Sequence, residues 1–275
     1  MRTVLKIGGS ILEPAPAPEL LTSLVRRVAG GDRVVIVHGG GKALSGMLQR
    51  LGIATEFRNG LRVTDEATLQ AALMVFAGDV NKRLVAALNA EGRRQGARFC
   101  AVGLTGIDGE SVTGRVRDPE LGRVGEVTGG NPDLLRSLLE AGFTPVLAPL
   151  ASDGEGGALN VNADQFASAC ARMIGASRAV FVTDVPGVLD AGKQRIPALN
   201  VDQLEELIHS GAIYGGMLPK LAACREALEA GVGEVQIIGP EAALQFDAWD
   251  TATCPGTRLL LSAHPAAAGT EGGRA

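Results

Sequence analysis

The segment Val34-Val35-Ile36-Val37-His38-Gly39-Gly40-Gly41-Lys42 decides the fold, because an apolar strand pattern runs directly into three glycines and then into a helix-forming stretch. Glycines lack a Cβ atom, so main-chain N–H groups can approach a charged oxygen closely, and the following helix N-terminus adds partial positive charge. The segment Thr3-Val4-Leu5-Lys6-Ile7-Gly8-Gly9-Ser10 shows the same arrangement, an apolar strand pattern followed by glycines, here with a lysine on the strand. The two turns are predicted to face one anionic reaction centre, although each alone could simply join a strand to a helix.

Strand and helix patterns alternate along the chain on both sides of this segment. Apolar patterns typical of buried strands recur, with helical patterns between them, at residues 3–7, 33–37, 99–104, 144–149, 179–183 and 234–238. This alternation predicts an α/β fold, a three-layer αβα sandwich around a central, mainly parallel sheet. Asn59-Gly60 adds a hairpin, which is expected to carry Arg62 outward on its second strand.

Composition narrows the class of protein. The chain has 275 residues, with 46% hydrophobic but only 3% aromatic side chains, as in sheets covered by helices on both faces. Its net charge of −4 argues against a nucleic-acid surface, and no apolar run is long enough to cross a membrane. The scattered cysteines form no C-x-x-C pair and the histidines lack metal-ligand spacing, so we expect a cytoplasmic protein without assigned metal ligands.

The common phosphate-binding templates do not fit the glycine segments. A P-loop requires G-x-x-x-x-G-K-[ST], whereas Lys42 lacks a glycine-led loop of that length and is followed by Ala43. The dinucleotide fingerprint G-x-G-x-x-G is also missing, because Leu44 stands where the third glycine is required. These absences disfavour a P-loop enzyme and a Rossmann-type oxidoreductase.

Six short motifs, taken together, are more specific than any single glycine turn. In chain order they are Lys6-Ile7-Gly8-Gly9, His38-Gly39-Gly40-Gly41, Asn59-Gly60-Leu61-Arg62-Val63-Thr64, Val124-Gly125-Glu126-Val127, Asn160-Val161-Asn162-Ala163-Asp164 and Gly215-Gly216-Met217-Leu218-Pro219-Lys220. This series resembles the amino-acid kinase family, and the resemblance extends from Thr3 to about Leu261. It implies the amino-acid kinase fold in one domain over residues 1–262. An N-terminal lobe, about 1–175, would take an acyl-amino acid, and a C-terminal lobe, about 176–262, would take the nucleotide, while residues 263–275 are expected to be disordered.

The resemblance also implies an activity. It favours ATP-dependent phosphorylation of the γ-carboxylate of N-acetyl-L-glutamate to N-acetylglutamyl 5-phosphate, in arginine biosynthesis. Two alternatives stay open, namely a kinase of carrier-protein-linked aminoadipate or glutamate in lysine or arginine biosynthesis, and a non-catalytic nucleotide or amino-acid sensor with the same fold. Because a carboxylate is already ionised at neutral pH, the reaction needs positioning and electrostatics rather than a general base.

By resemblance, four residues carry the phosphoryl transfer. Lys6 would contact the transferring phosphoryl group, and the Gly9 N–H would donate to it. Lys220 matches the family's second catalytic lysine and is expected on the nucleotide side. Asp164 would hold the two ammonium groups, although a helix cap is its plainer alternative. For either lysine, the plainer alternative is an ordinary solvent-exposed side chain.

The resemblance assigns the two substrates to different segments. The acyl-amino acid would bind Gly40, Gly41, Arg62 and Asn160, where Arg62 could instead be a solvated charge on the hairpin. ATP would bind a loop and a short segment before the last motif, comprising Asp184, Val185, Pro186, Gly187, Val188, Leu189, Ala212, Ile213 and Tyr214. Mg²⁺ would be held mainly by nucleotide phosphates and water.

The position of the first strand pattern leads to an expectation about the oligomeric state. Arginine-inhibited members of the family carry an additional helix ahead of the first strand, and that helix mediates hexamer formation. Here the first strand pattern follows Met1 and Arg2 directly. We therefore expect a homodimer that arginine does not inhibit, with no nucleic-acid or membrane partner.

Overall fold

The computed structural model describes residues 1–211, 213, 217–244 and 256–261. Its strands are β1 (Arg2–Ile7), β2 (Arg33–His38), β3 (Phe57–Arg58), β4 (Leu61–Arg62), β5 (Ala101–Thr105), β6 (Thr113–Val116), β7 (Val124–Gly129), β8 (Thr144–Ala148), β9 (Leu150–Ser152), β10 (Ala158–Val161), β11 (Arg178–Val182), β12 (Ala198–Asn200), β13 (Glu234–Ile238) and β14 (Thr257–Leu260). Its α-helices are α1 (Pro18–Ala29), α2 (Gly41–Arg50), α3 (Glu66–Ala72), α4 (Asn81–Arg94), α5 (Asp133–Glu140), α6 (Ala163–Ile174), α7 (Val201–His209), α8 (Met217–Glu229) and α9 (Pro240–Ala243). Within these described ranges, no helix is long and apolar enough to span a membrane.

A single twisted sheet of eight strands forms the centre of the molecule. Its strand order is β12-β14-β13-β11-β1-β2-β8-β5. The strands from β13 to β5 are parallel to one another, and β14 pairs antiparallel with β13. Strands β1 and β11 lie side by side at the centre, so the strands of the N-terminal and C-terminal parts of the chain occupy opposite halves of the sheet. The predicted mainly parallel sheet is confirmed.

Helices cover both faces of this sheet. Successive strand residues point to opposite faces, so on β2 the side chains of Val35 and Val37 pack in one core with α5, α6 and α8. The side chains of Val34 and Ile36 pack in the other core, with α1, α2 and α4. The predicted three-layer sandwich is therefore confirmed. The same alternation sends Lys6 of β1 towards α6 and α8, and His38 of β2 towards α4.

Two features were not predicted from the sequence. Strands β10, β7, β6 and β9 close into a small four-stranded barrel beside the main sheet. These strands have three to six residues each, too few for a clear period of two, and the barrel depends on close packing at glycine. A Cβ atom on Gly125 would lie 2.7 Å from the Cβ of Leu159. The second feature is a π-helical segment, Leu73–Val80, between α3 and α4.

Candidate active site

The two glycine turns meet at the C-terminal ends of β1 and β2. We call Gly8-Gly9 the first glycine turn and Gly39–Gly41 the second. A Cβ atom on Gly9 would lie 2.8 Å from the main-chain N of Gly40, and one on Gly39 would lie 2.9 Å from the N of Gly9. Backbone atoms cannot move aside as a flexible side chain can, so both positions require glycine. The predicted convergence of the two turns is present in the structure.

A buried group of charges lies directly beside the first glycine turn. The Nζ atom of Lys6 is 2.8 Å from Oδ1 of Asp164, and Nζ of Lys220 is 2.8 Å from Oδ2 of the same carboxylate. The three residues are 8%, 9% and 7% exposed for Lys6, Asp164 and Lys220, respectively. Two ammonium groups and one carboxylate give this charge cluster a formal charge of +1, which suits an anionic ligand.

The protonation states of the charge cluster follow from burial and mutual attraction. Burial lowers the pKa of Lys6, and the nearby Lys220 ammonium acts in the same direction, while Asp164 opposes both. Burial alone would raise the pKa of Asp164, but the two ammonium groups outweigh it and hold that pKa below its usual value. Asp164 therefore stays ionised and keeps both ammonium groups oriented.

Two packed helices bring Asp164 and Lys220 together. Asp164 lies in the first turn of α6, but it does not cap that helix. Asn162 is the N-cap, and its Oδ1 accepts hydrogen bonds from the N–H groups of Asp164 at 2.9 Å and Gln165 at 3.2 Å. The plainer alternative for Asp164, a helix cap, is thus wrong, because its carboxylate is turned towards the lysines instead. On the next turn of α6, Ser168 Oγ donates to the carbonyl oxygen of Ala223 on α8 at 2.7 Å.

Arg62 lies under the hairpin rather than on its outer surface. The expectation that the hairpin carries this side chain outward is wrong, because Arg62 is only 8% exposed. Its guanidinium donates to the carbonyl oxygen of Gly41 at 3.1 Å and to Ser45 Oγ at 2.7 Å. It also lies 4.6 Å from the ring centroid of Phe57. Acceptors at the start of α2 replace solvent around the charge, so the hairpin is fastened to the second glycine turn.

One cavity joins the first glycine turn, the second glycine turn and the hairpin. It has a volume of about 260 Å³ and is called the acceptor pocket below. Among its lining residues are those predicted to contact phosphate or acyl-amino acid, namely Lys6, Gly9, Gly40, Gly41, Arg62 and Asn160. The structure therefore brings these predicted site residues together, and Asp164 and Lys220 adjoin them through Lys6.

His38 is a neutral hydrogen-bonding residue behind the second glycine turn. Its Nδ1 lies 2.9 Å from the carbonyl oxygen of Gly39, and its Nε2 lies 3.1 Å from Nδ2 of Asn81. Asn81 Nδ2 also donates to the carbonyl oxygen of Val146 at 2.9 Å. Burial lowers the pKa of His38 to about 4. The ring is neutral at pH 7, with its proton on Nδ1, and holds the turn against α4 and β8.

The predicted nucleotide loop follows β11 at the same edge of the sheet. Asp184 and Pro186 are exposed, whereas Gly187 and Val188 are buried and the Val188 side chain packs in the core. The Val188 N–H donates to Thr257 Oγ1 at 2.8 Å, which ties the loop to β14. Ile213 is buried, at 6% exposure. Other predictions lie outside the described residues, namely those for Ala212, Tyr214, Gly215, Gly216 and the tail 263–275.

Comparison with known proteins identifies the family to which this site belongs. The model of the amino acid kinase family matches residues 1–239. The chain belongs to this family. An acetylglutamate kinase from Solibacter usitatus is 46% identical over 238 residues, which cover 86% of this chain and 90% of the relative. An acetylglutamate kinase from Acidobacterium capsulatum is 45% identical over 269 residues, which cover 95% and 100%, respectively.

A solved structure supports the same assignment of fold. The crystal structure of smu.665 from Streptococcus mutans UA159 is 29% identical to this chain, with a TM-score of 0.81, and the match covers 95% of this chain and 99% of that one. The amino acid kinase fold predicted from the motifs is therefore confirmed.

For several residues that shape the candidate active site, the sequence predicted no role. Phe76, on the π-helical segment, lies so close to Gly40 that a Cβ atom there would be 2.9 Å from its ring. Asn81 bonds His38 and Ser45 bonds Arg62, and these two partners in turn bond the carbonyl oxygens of Gly39 and Gly41 in the second glycine turn. Phe76 and Asn81 lie in an unremarkable helical pattern, so no local signal could have singled them out. In the described part of the chain, no group of three or more His, Cys, Asp or Glu is placed to hold a metal ion.

Proposed function

We propose that this chain transfers the γ-phosphoryl group of ATP to the γ-carboxylate of N-acetyl-L-glutamate. The products are N-acetylglutamyl 5-phosphate and ADP, and the reaction belongs to arginine biosynthesis. The observation that carries the proposal is the buried charge cluster of net positive charge beside two glycine turns, in a chain whose relatives at 46% and 45% identity are acetylglutamate kinases.

The chemistry requires two anions to approach each other. The attacking carboxylate needs no deprotonation, so the barrier comes from charge repulsion and misalignment. In this proposal, Lys6 and Lys220 would stabilise the charge that develops on the transferring phosphoryl group. Asp164 orients both ammonium groups before substrate arrives, so little reorganisation is needed during the reaction. The N–H groups of Gly9 and Gly40 would add neutral donors on the other side.

The acceptor pocket would hold the acyl-amino acid. Its volume of about 260 Å³ suits a molecule of this size. Arg62 provides a planar guanidinium for a substrate carboxylate, and it is already held by Gly41 and Ser45. Asn160 also lines the pocket and offers an amide. The N-terminal lobe, about residues 1–175, would in this way bind the acceptor.

The C-terminal lobe, about residues 176–262, would bind ATP as its magnesium complex, in which Mg²⁺ is held mainly by phosphate oxygens and water. Ligands of open α/β sheets bind at the carboxyl ends of the strands. The loop 184–189 lies at that edge, directly after β11. The exposed Asp184 and Pro186 would contact the ribose and adenine there.

The proposal includes a homodimer. Strand β5 is the last strand of the sheet at one side, and a parallel sheet edge of this kind is usually covered. A second copy of the chain is the partner proposed to cover it. Sedimentation velocity of the purified protein checks this expectation, and a single monomeric or hexameric species would contradict it.

The activity is tested by coupled measurement of ADP release with N-acetyl-L-glutamate, L-glutamate and N-acetyl-L-aspartate side by side. We expect turnover with N-acetyl-L-glutamate to exceed that with the other two by at least about 100-fold in kcat/KM. Nucleotide binding without turnover of any acceptor would support the sensor alternative. Preference for a carrier-linked substrate over the free acyl-amino acid would support the carrier-protein alternative.

A further inference from the structure

Thr64 is a fully buried residue directly behind the acceptor pocket. It follows β4 by two positions and is 0% exposed. Its hydroxyl is bonded twice, to the carbonyl oxygen of Arg62 at 2.8 Å and to the side-chain Nδ2 of Asn160 at 3.1 Å. Thr64 thus connects Arg62 and Asn160, the two residues whose side chains are proposed to bind the acceptor.

The single hydroxyl proton of Thr64 fixes the direction of both bonds. The N–H of the neighbouring Val63 donates to the carbonyl oxygen of Glu56 across the hairpin at 3.0 Å, so the carbonyl of Arg62 faces away from β3. Thr64 Oγ1 donates its proton to that carbonyl. Its lone pairs can therefore only accept from Asn160, and the NH₂ end of the Asn160 amide must face Thr64.

The orientation of Asn160 has a chemical consequence in the acceptor pocket. Asn160 lines this pocket, and its NH₂ end is turned back to Thr64. Because the NH₂ end is engaged by Thr64, the Oδ1 end is the part of the amide available to a ligand in the pocket, and no described residue donates a hydrogen bond to it. An oxygen in this position accepts a hydrogen bond and repels a ligand atom that carries only lone pairs.

We propose that Thr64 is a positioning residue that turns Asn160 Oδ1 into the acceptor pocket and thereby selects acceptors with an amide N–H beside the α-carbon. This inference rests on the proposed function and deepens it. A site with a fixed hydrogen-bond acceptor rejects an analogue that lacks the donor, because the buried acceptor is then left unpaired.

The backbone around Thr64 is held independently of its hydroxyl. The Thr64 N–H donates to the carbonyl oxygen of Leu121 at 3.0 Å, and its carbonyl accepts from the N–H of Arg123 at 2.7 Å. The N–H of Asn160 donates to the carbonyl oxygen of Arg123 at 2.9 Å. Replacement of threonine by valine therefore removes the hydroxyl but keeps the shape of the side chain and these main-chain bonds.

The experiment compares two acceptors that differ in one atom. N-acetyl-L-glutamate carries an amide N–H, and 2-acetoxyglutarate of the same configuration carries an ester oxygen in its place. For the wild type we expect kcat/KM to favour the amide by at least about 100-fold. For Thr64→Val we expect that ratio to fall about tenfold, mainly through a higher KM for the amide, while Thr64→Ser restores the wild-type ratio.

Thr257 offers a matched control in the other half of the sheet. It is also 0% exposed, donates to the carbonyl oxygen of Ile196 at 2.6 Å, and accepts from the N–H of Val188 at 2.8 Å. Thr257→Val should leave the amide-to-ester ratio at the wild-type value, whatever it does to nucleotide binding. An unchanged ratio in Thr64→Val, or an equal fall in Thr257→Val, would overturn the inference.

A binding measurement separates this inference from the proposed function. Titration calorimetry with the same two ligands gives the ratio of Kd values without requiring turnover. If the wild type turns over neither acceptor, the proposed function fails, and the Kd ratios of the wild type, Thr64→Val and Thr64→Ser still decide the role of Thr64. If Thr64→Val does not fold, Thr64→Ala provides the same comparison, with the same fall in ratio expected.

Discussion

The first and second glycine turns have the same backbone plan but contribute in different ways. The strand before the first turn carries Lys6, which reaches the charge cluster on the α6 and α8 face of the sheet. The strand before the second turn ends in His38, which is neutral and bonds to Asn81 on the opposite face. One turn therefore brings charge to the site, and the other is held in place by uncharged hydrogen bonds.

Lys6 and His38 are both buried polar side chains close to a glycine turn. They differ in the free-energy cost of burying them and in what they contribute to the site. A buried charge is tolerated only when it is paired, and Asp164 provides that pairing for both lysines. A neutral imidazole needs only a donor and an acceptor, which Asn81 and Gly39 supply. Perturbing each turn separately should therefore give different kinetic and pH signatures.

Removing an ammonium group from the charge cluster beside the first glycine turn should have the largest effect on activity. Lys6→Met and Lys220→Met keep the length of the side chain but delete the ammonium group. If, as proposed, the ammonium group stabilises charge that develops only in the transition state, kcat should fall by about 10² to 10³, with a smaller change in the acceptor KM. Steady-state kinetics measure both. A rise in KM with kcat unchanged would assign these lysines to ground-state binding instead.

Separating the two turns should have the next largest effect. Gly9→Ala would place a Cβ atom 2.8 Å from the backbone N of Gly40, so one turn must shift. A displacement approaching 1 Å at a reacting centre lowers the rate by about 10², and coupled ADP release measures this. Gly46→Ala on α2 is the control, because nothing lies within 4 Å of its Cβ position. A fully active Gly9→Ala variant would show that the close contact is dispensable.

Weakening the bonds between Arg62 and the second glycine turn should have a moderate effect on activity. Arg62→Lys keeps the charge but loses the planar fork that bonds Gly41 and Ser45. We expect the acceptor KM to rise about tenfold with a smaller change in kcat, since the guanidinium is proposed to bind the acceptor carboxylate. Arg58→Lys on the same hairpin is the control, because Arg58 pairs with Glu56 and Glu120 in solvent. Equal changes in both variants would point to the hairpin in general.

The smallest effect at neutral pH concerns His38. Its pKa is about 4 in the folded protein, below the value of 6.5 for an unfolded histidine. As pH falls from 6.5 to about 4, the unfolded state binds a proton that the folded state does not. The free energy of unfolding should therefore fall by about 1.4 kcal/mol per pH unit from this group and level off below. Urea unfolding across this range, compared with His38→Gln, checks it; identical slopes for both proteins would contradict the prediction.

Much of the fold could be predicted because its signals are local. Strand β2 is predicted at residues 33–37 and observed at Arg33–His38, and strand β13 is predicted and observed at Glu234–Ile238. Both have a clear period or apolar run. The small barrel was missed because its short strands show no such period, and pairing partners such as β7 and β10 are far apart in sequence.

The sequence by itself determined which residues have the right chemistry, namely glycines at strand ends, a lysine within an apolar strand, and an arginine beside a turn. Only the tertiary structure decided what these residues contact. Lys6, Asp164 and Lys220 come from three distant elements, and their salt bridges exist because strand alternation and helix packing direct them to one point. Arg62 and Thr64 are buried for the same reason, since a folded neighbour rather than the local pattern decides whether a polar group meets water or protein.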